Sequence, residues 1–510
     1  MHRSTWFILV AGILLAMAGC GGQYSMASNP ASNSNSGNVP VSMMVTDTPP
    51  AGVTVLFFQL SITGASLATS SGSVSLLNAT NPIPINVTQL QTDAAFLGSA
   101  NVPPGSYSSL SVTFANPQLT IFNDSGAAIG SCANNTVCQL TPTTTPSTLT
   151  FSAAPFPINL AANSPLAFKL DIHLDTIIQQ NLSVDLSSTD GVTVSELPTP
   201  PQGAPFSPIG HLIGTIQSLG TNAFTLQTGD GRTFSIGVNS STTYNYPSSV
   251  CTTDNFACLA AQQIVKVKLS LMAAGTLLAT EVDFVQPAGQ NVVEGNIISL
   301  STSGSNTVMD LILQQGAPMP MFDVFPFGRR ASVTVPSMGV TYAIDSGSFT
   351  IPSGLSFASS TDLAVGQQVS VVVQGTVATG SGAGTSIPFL LPAAISLTTN
   401  SITLEPSQIT GSVAAINSSA SSFTLSTFPF WFVPPATTPA VLPILEPYNL
   451  TVQTTSATTF SNLTPDTIAG LSVNDVVSVG GWVFSTPSGV TAITQAADTV
   501  VGRPGPTALF

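Results

Sequence analysis

Charge is what this chain lacks most. Only 6% of its 510 residues are Asp, Glu, Lys or Arg, where an ordinary soluble domain carries about 25%. Basic residues number 8 and histidines 3. Nucleic-acid binding by phosphate neutralisation needs clustered Lys and Arg. Here only Lys266/Lys268 and Arg329/Arg330 lie close together. Helical periodicity is missing over any long window. Also missing are a G-x-S-x-G elbow, an HExxH helix, a phosphate-binding loop and a dinucleotide fingerprint. With so few titratable groups, these absences argue against an enzyme.

What is present is apolar and neutral-polar. Hydrophobic residues make up 43% of the chain, enough for a sizeable core and too many for wholesale disorder. Polarity comes from Ser, Thr, Asn and Gln. His2 and Arg3 precede an apolar run from Trp6 to Met17, which ends Met17-Ala18-Gly19-Cys20. Residues 1–19 read as a secretory signal peptide, and the run is short for a membrane span. The small residues before Cys20 resemble a bacterial lipobox, which predicts cleavage before Cys20 and a diacylglyceryl group on its sulfur. Residues 20–40, rich in Ser, Asn and Gly, read as a flexible tether. Gly21 in place of Asp favours the outer membrane. Cleavage removes Arg3 and takes the net charge from −14 to −15.

The chain has 5 cysteines. With Cys20 lipidated, two close pairs remain: Cys132 with Cys138, and Cys251 with Cys258. In an exported chain such pairs read as disulfides. Neither pair has zinc-site spacing.

Beyond the tether nearly every segment reads as strand, as in Val53–Leu60, Leu110–Phe114 and Val369–Val373. Each is rich in β-branched and aromatic residues and bounded by turn formers. Residues 41–199 form a first domain, predicted to be a β-sandwich, and close at a Pro-rich stretch. A repeat follows. Gly214-Thr-Ile-Gln-Ser-Leu, Gly295-Asn-Ile-Ile-Ser-Leu and Gly411-Ser-Val-Ala-Ala-Ile each open a unit. Each unit has a later strand beginning at Leu259, Leu363 or Leu471. The predicted fold is all-β: the sandwich, then three small OB-like β-barrels in a row at residues 209–288, 291–406 and 408–503. Asp230-Gly231 predicts a type I′ hairpin. The second and third units carry apolar insertions at 315–332 and 428–446, the latter containing Trp431.

Two resemblances follow from these motifs. Thr46-Asp47-Thr48-Pro49, Val102-Pro-Pro-Gly-Ser-Tyr107 with its following strand, and Phe168–Asp175 make the first domain resemble the domain of unknown function 4382 family. The G-x-I/V-x-x-I/L, F-T-L and L-x-V-x-x-x-V-x-V pattern makes the barrels resemble the domain of unknown function 5666 family. The first resemblance implies a β-rich domain behind a lipoprotein leader. Neither brings catalytic residues.

One constellation suggests chemistry. Asp171, His173 and Asp175 alternate along one predicted strand, which places neighbours about 7 Å apart on one face. Two carboxylates and an imidazole could hold a divalent metal; the competing expectation is a solvated outer face. Asp47 is expected to cap a turn, and Tyr107 to pack at a sandwich edge. No other cofactor is expected. The functional expectation is a lipid-anchored envelope protein that acts as a spacer, adhesin or scaffold. Its expected partners are the membrane, through its lipid, and an envelope protein or carbohydrate, but no nucleic acid. The alternative is an envelope enzyme using the Asp171 face. A membrane β-barrel is not expected: Gly502-Arg-Pro-Gly-Pro506 does not suit a terminal barrel strand, and the strands fall into small repeated units.

Overall fold

The computed structural model describes residues 38–48, 54–90, 92–123, 127–134, 136–286, 291–318, 327–347, 349–379, 395–426, 450–485 and 493–503. Cys20, the leader, most of the tether, Trp431 and the 428–446 insertion lie outside them. The fold is all-β, with one four-residue helical turn at Leu174–Ile177 and scattered 3-10 turns. Among the described residues no helix is long and apolar enough to cross a membrane.

The first module is built from two main sheets, with two small two-stranded ones beside them. Val39–Thr48 lies between Leu166–His173, its parallel neighbour, and Ala95–Val102. Val192–Leu197 adds the far edge. The second sheet is built on Thr54–Thr69, flanked by Gly72–Asn86 and Ser109–Asn123. Alternate residues of both sheets, among them Met43, Phe58, Val112, Phe168 and Leu170, meet in one core. This is the period-2 logic of a face-to-face sandwich.

Each of the following three modules closes five strands into a barrel by the same route. In the first, Pro205–Leu219 pairs with Ala223–Thr228, which pairs with Thr233–Gly237. Ile264–Met272 returns to the first strand and Leu277–Gln286 follows it. A parallel pairing of Ile236 with Leu277 closes the ring. The second module does the same through Ala331 and Ile395, and the third through Thr451 and Thr494. A parallel third-to-last-strand closure in a five-strand ring is the OB-like arrangement.

The repeat motifs now have physical reasons. In all three modules the first strand carries a bulge just past the motif glycine: at Ile216/Ser218, Ile297/Ser299 and Val413/Ala415. A bulge bends a strand sharply, and a small ring needs that bend. A Cβ at Gly295 would stand 2.4 Å from the Ile312 carbonyl oxygen, so the paired backbones pass too closely for a side chain. Gly295→Val is expected to lower stability by about 1–3 kcal/mol, measured by urea unfolding. The later motif is a side-chain latch. Gln263 Oε1 accepts from Ala260 N, Gln367 Oε1 from Ala364 N, and Asp475 Oδ2 from Ser472 N.

The Asp230-Gly231 turn differs from its expected form. Gly231 has φ +84°, but Asp230 is not among the positive-φ residues, so the type I′ turn is not adopted. Instead the Thr228 carbonyl accepts from Gly231 N and Thr228 N donates to the Arg232 carbonyl, closing a longer loop. Asp230 Oδ1 holds that loop by accepting from Arg232 N, a local bond that competes with the tighter turn.

The barrels are not strung out in a row. The core of the second barrel contains Trp482, Phe484 and Ala496 from the third. The core of the first contains Met44, Ala94 and Ala167 from the sandwich. Leu56, Phe57, Phe122 and Val137 of the sandwich cluster with Ile312 of the second barrel. Ile213 and Ile264 of the first barrel cluster with Val292 and Val372 of the second. Gly328, at φ +68°, brings its backbone onto the Phe57 ring. Its carbonyl there accepts from Thr120 Oγ1 at 2.9 Å and Gln139 Nε2 at 2.8 Å.

Candidate functional site

Several of the chain's few charges lie inside it, among them Lys266, Glu294 and Glu405. The fourth strand of the first barrel alternates: Val265, Val267, Leu269 and Leu271 enter the barrel core, which turns Lys266 and Lys268 outward. Outward here means toward the second barrel. Lys266, 1% exposed, donates to Asp345 Oδ2 at 2.5 Å and makes a still closer contact with Glu405 Oε2. Lys268 pairs with Glu281 at 3.0 Å. Asn245 Nδ2 donates to Glu281 Oε1 and Asp283 Oδ1. Glu294, fully buried, accepts from Gln315 Nε2 and Gln368 Nε2, and lies 3.2 Å from His211 Nε2.

One ammonium faces three carboxylates, and the titration of each group follows from that imbalance. Burial pulls Lys266 down, but Asp345 and Glu405 outweigh it and hold its pKa well above the usual lysine value. Burial pushes Asp345 up, and Lys266 more than reverses this. Glu405 is the carboxylate left over: burial raises it well above the usual range, and Asp345 and Glu294 add to the rise. Burial also pushes Glu294 up, but His211 and Lys266 bring it down to about 2. Asp283 is raised to about 7 by burial, Asp345 and Glu281.

Asp283 therefore binds its proton more tightly folded than unfolded. It opposes folding progressively as pH rises from about 4 through about 7. Asp283→Asn removes that burden while keeping an oxygen for Asn245. The variant is expected to melt several degrees above the parent at pH 8, with the gap narrowing at pH 5. Thermal scans at the two pH values measure it.

Beside this network lies a cavity of about 630 Å³ to which all four modules contribute. The sandwich supplies Gln59, Gln89, Asp93 and Phe96. The first barrel supplies His211, Asp230, Arg232 and Lys268. The second supplies Gln314, Gln315 and Gln368, and the third Gln408, Thr459, Ser461, Asp498 and Thr499. Its walls are tied by side-chain amides. Gln408 Oε1 accepts from Thr92 N at 3.1 Å and its Nε2 donates to Asp93 Oδ2 at 2.8 Å. Asn86 Nδ2 donates to Gln314 Oε1 at 2.8 Å, and Gln314 Nε2 to the Leu56 carbonyl at 3.0 Å. Arg232 is paired with Asp230 at 2.6 Å. The surface that Asp93 retains faces the void. Burial raises its pKa, with Asp498 adding to the rise and His211 opposing it. Burial likewise raises Asp498.

The residues singled out in the sequence lie elsewhere. Asp171 and His173 come together, Nε2 to Oδ2 at 3.8 Å. The strand ends at His173, however, and Asp175 falls in the helical turn Leu174–Ile177. The alternation that was to place Asp175 on the same face stops two residues early. Among the described residues no group of three His, Cys, Asp or Glu side chains is arranged to hold a metal. Parallel register pairs Asp47 with Ile172 and Thr48 with His173. Tyr107 is buried, and its hydroxyl donates to the Pro103 carbonyl at 2.6 Å, so the Pro-Pro-Gly-Ser-Tyr element closes on itself. The sulfurs of Cys132 and Cys138, and of Cys251 and Cys258, are at bonding distance. Sequence reading passed over Asp93, Glu294 and Asp498, and took Lys266/Lys268 only as neighbours. The available signal was two cations interrupting the apolar run Ile264-Val-Lys-Val-Lys-Leu.

Comparison with known proteins agrees with this architecture. Residues 38–187 match the family model described as Domain of unknown function (DUF4382), and residues 213–283 match that described as Domain of unknown function (DUF5666). The second match covers the first barrel, and the other two barrels repeat its strand order. No curated protein matches the chain.

Proposed function

We propose that this chain is a lipid-anchored binding protein of the bacterial cell envelope, held at the outer membrane through Cys20, with the four-module cavity as its ligand site. The observation that carries the reading is convergence. Residues from the sandwich and from all three barrels line one open cavity of about 630 Å³, within the usual range of roughly 300–1,000 Å³ for small-molecule sites. A spacer would gain nothing from such a void, and the shared cores argue for a compact body. The proposal is for binding without catalysis: Arg232 and Lys268, the cations at the void, are already paired, and His211 is held against Glu294.

Two features support the address. The leader-like residues 1–19 end at Cys20, and the two cysteine pairs suit an oxidising compartment. The test is mass spectrometry of the N-terminus of the protein isolated from its host. The expected first residue is Cys20 carrying a diacylglyceryl thioether, and Cys20→Ser is expected to move the protein from the membrane to the soluble fraction. An intact Met1, or an unmodified Cys20, overturns the anchored reading.

A further inference from the structure

The cavity wall is unusual in being nearly neutral yet dense in hydrogen-bonding groups. Asp93, Asp230 and Asp498 face Arg232 and Lys268, three carboxyl groups against two cations, and both cations are already paired. An anionic ligand would find neither cation free and would meet these acids. A purely apolar ligand would cover the amide of Gln59 and the hydroxyl of Ser461 without offering them a partner, and unpaired buried polar groups are costly. Among the described residues, Gln89 Nε2 has no hydrogen-bond partner. Each amide offers two donor and two acceptor positions. The ties of Gln314 and Gln408 use part of that capacity and leave the rest available. A ligand that both donates and accepts at many points, carries no charge and has faces fit to lie on Phe96 or Phe327 satisfies this wall.

From this we infer that the cavity takes a short neutral oligosaccharide, with Asp93 as its anchoring acceptor. The inference rests on the reading of the cavity as the binding site. Asp93 suits this role because Gln408 fixes Oδ2 and Gly210 packs against its Cβ, so the carboxylate is held still against the void. Above its raised pKa, Asp93 fixed in this way accepts from adjacent sugar hydroxyls in charge-assisted bonds, which are stronger than neutral ones. Glutamine amides and threonine hydroxyls meet the remaining hydroxyls. The chain's scarcity of cations argues against an oligonucleotide in the same void.

The test is calorimetric titration of the purified full-length lipoprotein with maltotriose, cellotriose, xylotriose and mannotriose. Trigalacturonic acid and spermidine serve as charged comparators. At least one neutral trisaccharide is expected to bind saturably. Asp93→Asn is expected to weaken that binding about ten-fold or more, the loss of one hydrogen bond to a charged group. Thr459→Trp, at an exposed position on the cavity wall, fills the void without touching the buried ties. It is expected to abolish binding while leaving the melting temperature unchanged, which separates blockage from misfolding. If the neutral sugars give no heat and trigalacturonate or spermidine binds in a manner that Thr459→Trp blocks, the ligand class is overturned and the cavity stands as a site. If binding of every probe survives Thr459→Trp, the cavity reading itself falls.

Discussion

Replacing Lys266 by Met is expected to cost about 3–5 kcal/mol of stability, the usual penalty for removing one partner from a buried ion pair. The reason is what remains. Asp345 and Glu405 belong to the second barrel and would keep their places around an apolar side chain. Asp345 is held low chiefly because the Lys266 ammonium outweighs its burial. Without Lys266 its pKa rises above the unfolded value, and the sign of its linkage reverses. In the parent, Asp345 adds stability that is present above its unfolded pKa and lost as pH falls through its lower folded pKa. In the variant it subtracts stability as pH rises through the new, higher value. The deficit should therefore be larger at pH 8 than at pH 5. Urea unfolding at both values measures it. Combining Lys266→Met with Asp345→Asn and Glu405→Gln should recover most of the loss, since neutral groups of the same shape carry no uncompensated charge. A triple variant as weak as the single one would show that packing, not charge, dominates.

Trp482→Ala should be comparably severe, at about 3–5 kcal/mol, and its effect should cross a module boundary. Trp482 belongs to the fourth strand of the third barrel, yet its ring stacks on Phe349 of the second at 4.9 Å, and its Nε1 donates to the Asp345 carbonyl at 2.9 Å. Truncation opens a void in the second barrel's core and leaves a buried carbonyl short of a donor. Hydrogen exchange should accelerate in Gln368–Val373 of the second barrel as well as in Val476–Ser485 of the third. Phe423→Ala removes a side chain from the third barrel's own core and should accelerate exchange chiefly there. Identical exchange patterns for the two variants would mean that the barrels unfold as one regardless of which core is damaged.

The two cases show what the sequence could and could not tell. The strands, the three repeats and both cysteine pairs were legible because they are local. Alternation, a glycine at a bulge and short cysteine spacing leave marks within a few residues. The site was not legible because it is made of contacts at long separation. Gln408 reaches Asp93, and Lys266 reaches Glu405, across 315 and 139 positions. In the sequence Lys266 is a charge on the outer face of a strand, and outer faces normally meet water. Only the docking of a second barrel turns that face into an interior. The Asp171 constellation shows the limit of local reading. It was local and regular in the sequence, but the strand ends at His173, and alternation has no meaning beyond a strand's last residue.

The void takes walls from Gln59 near the start of the sandwich and from Thr499 in the final strand. Deleting Ile493–Gly502 would take Asp498 and Thr499 from the wall while the sandwich and the first barrel keep every strand of their own. The void is thus a property of the assembled modules and of no single one of them.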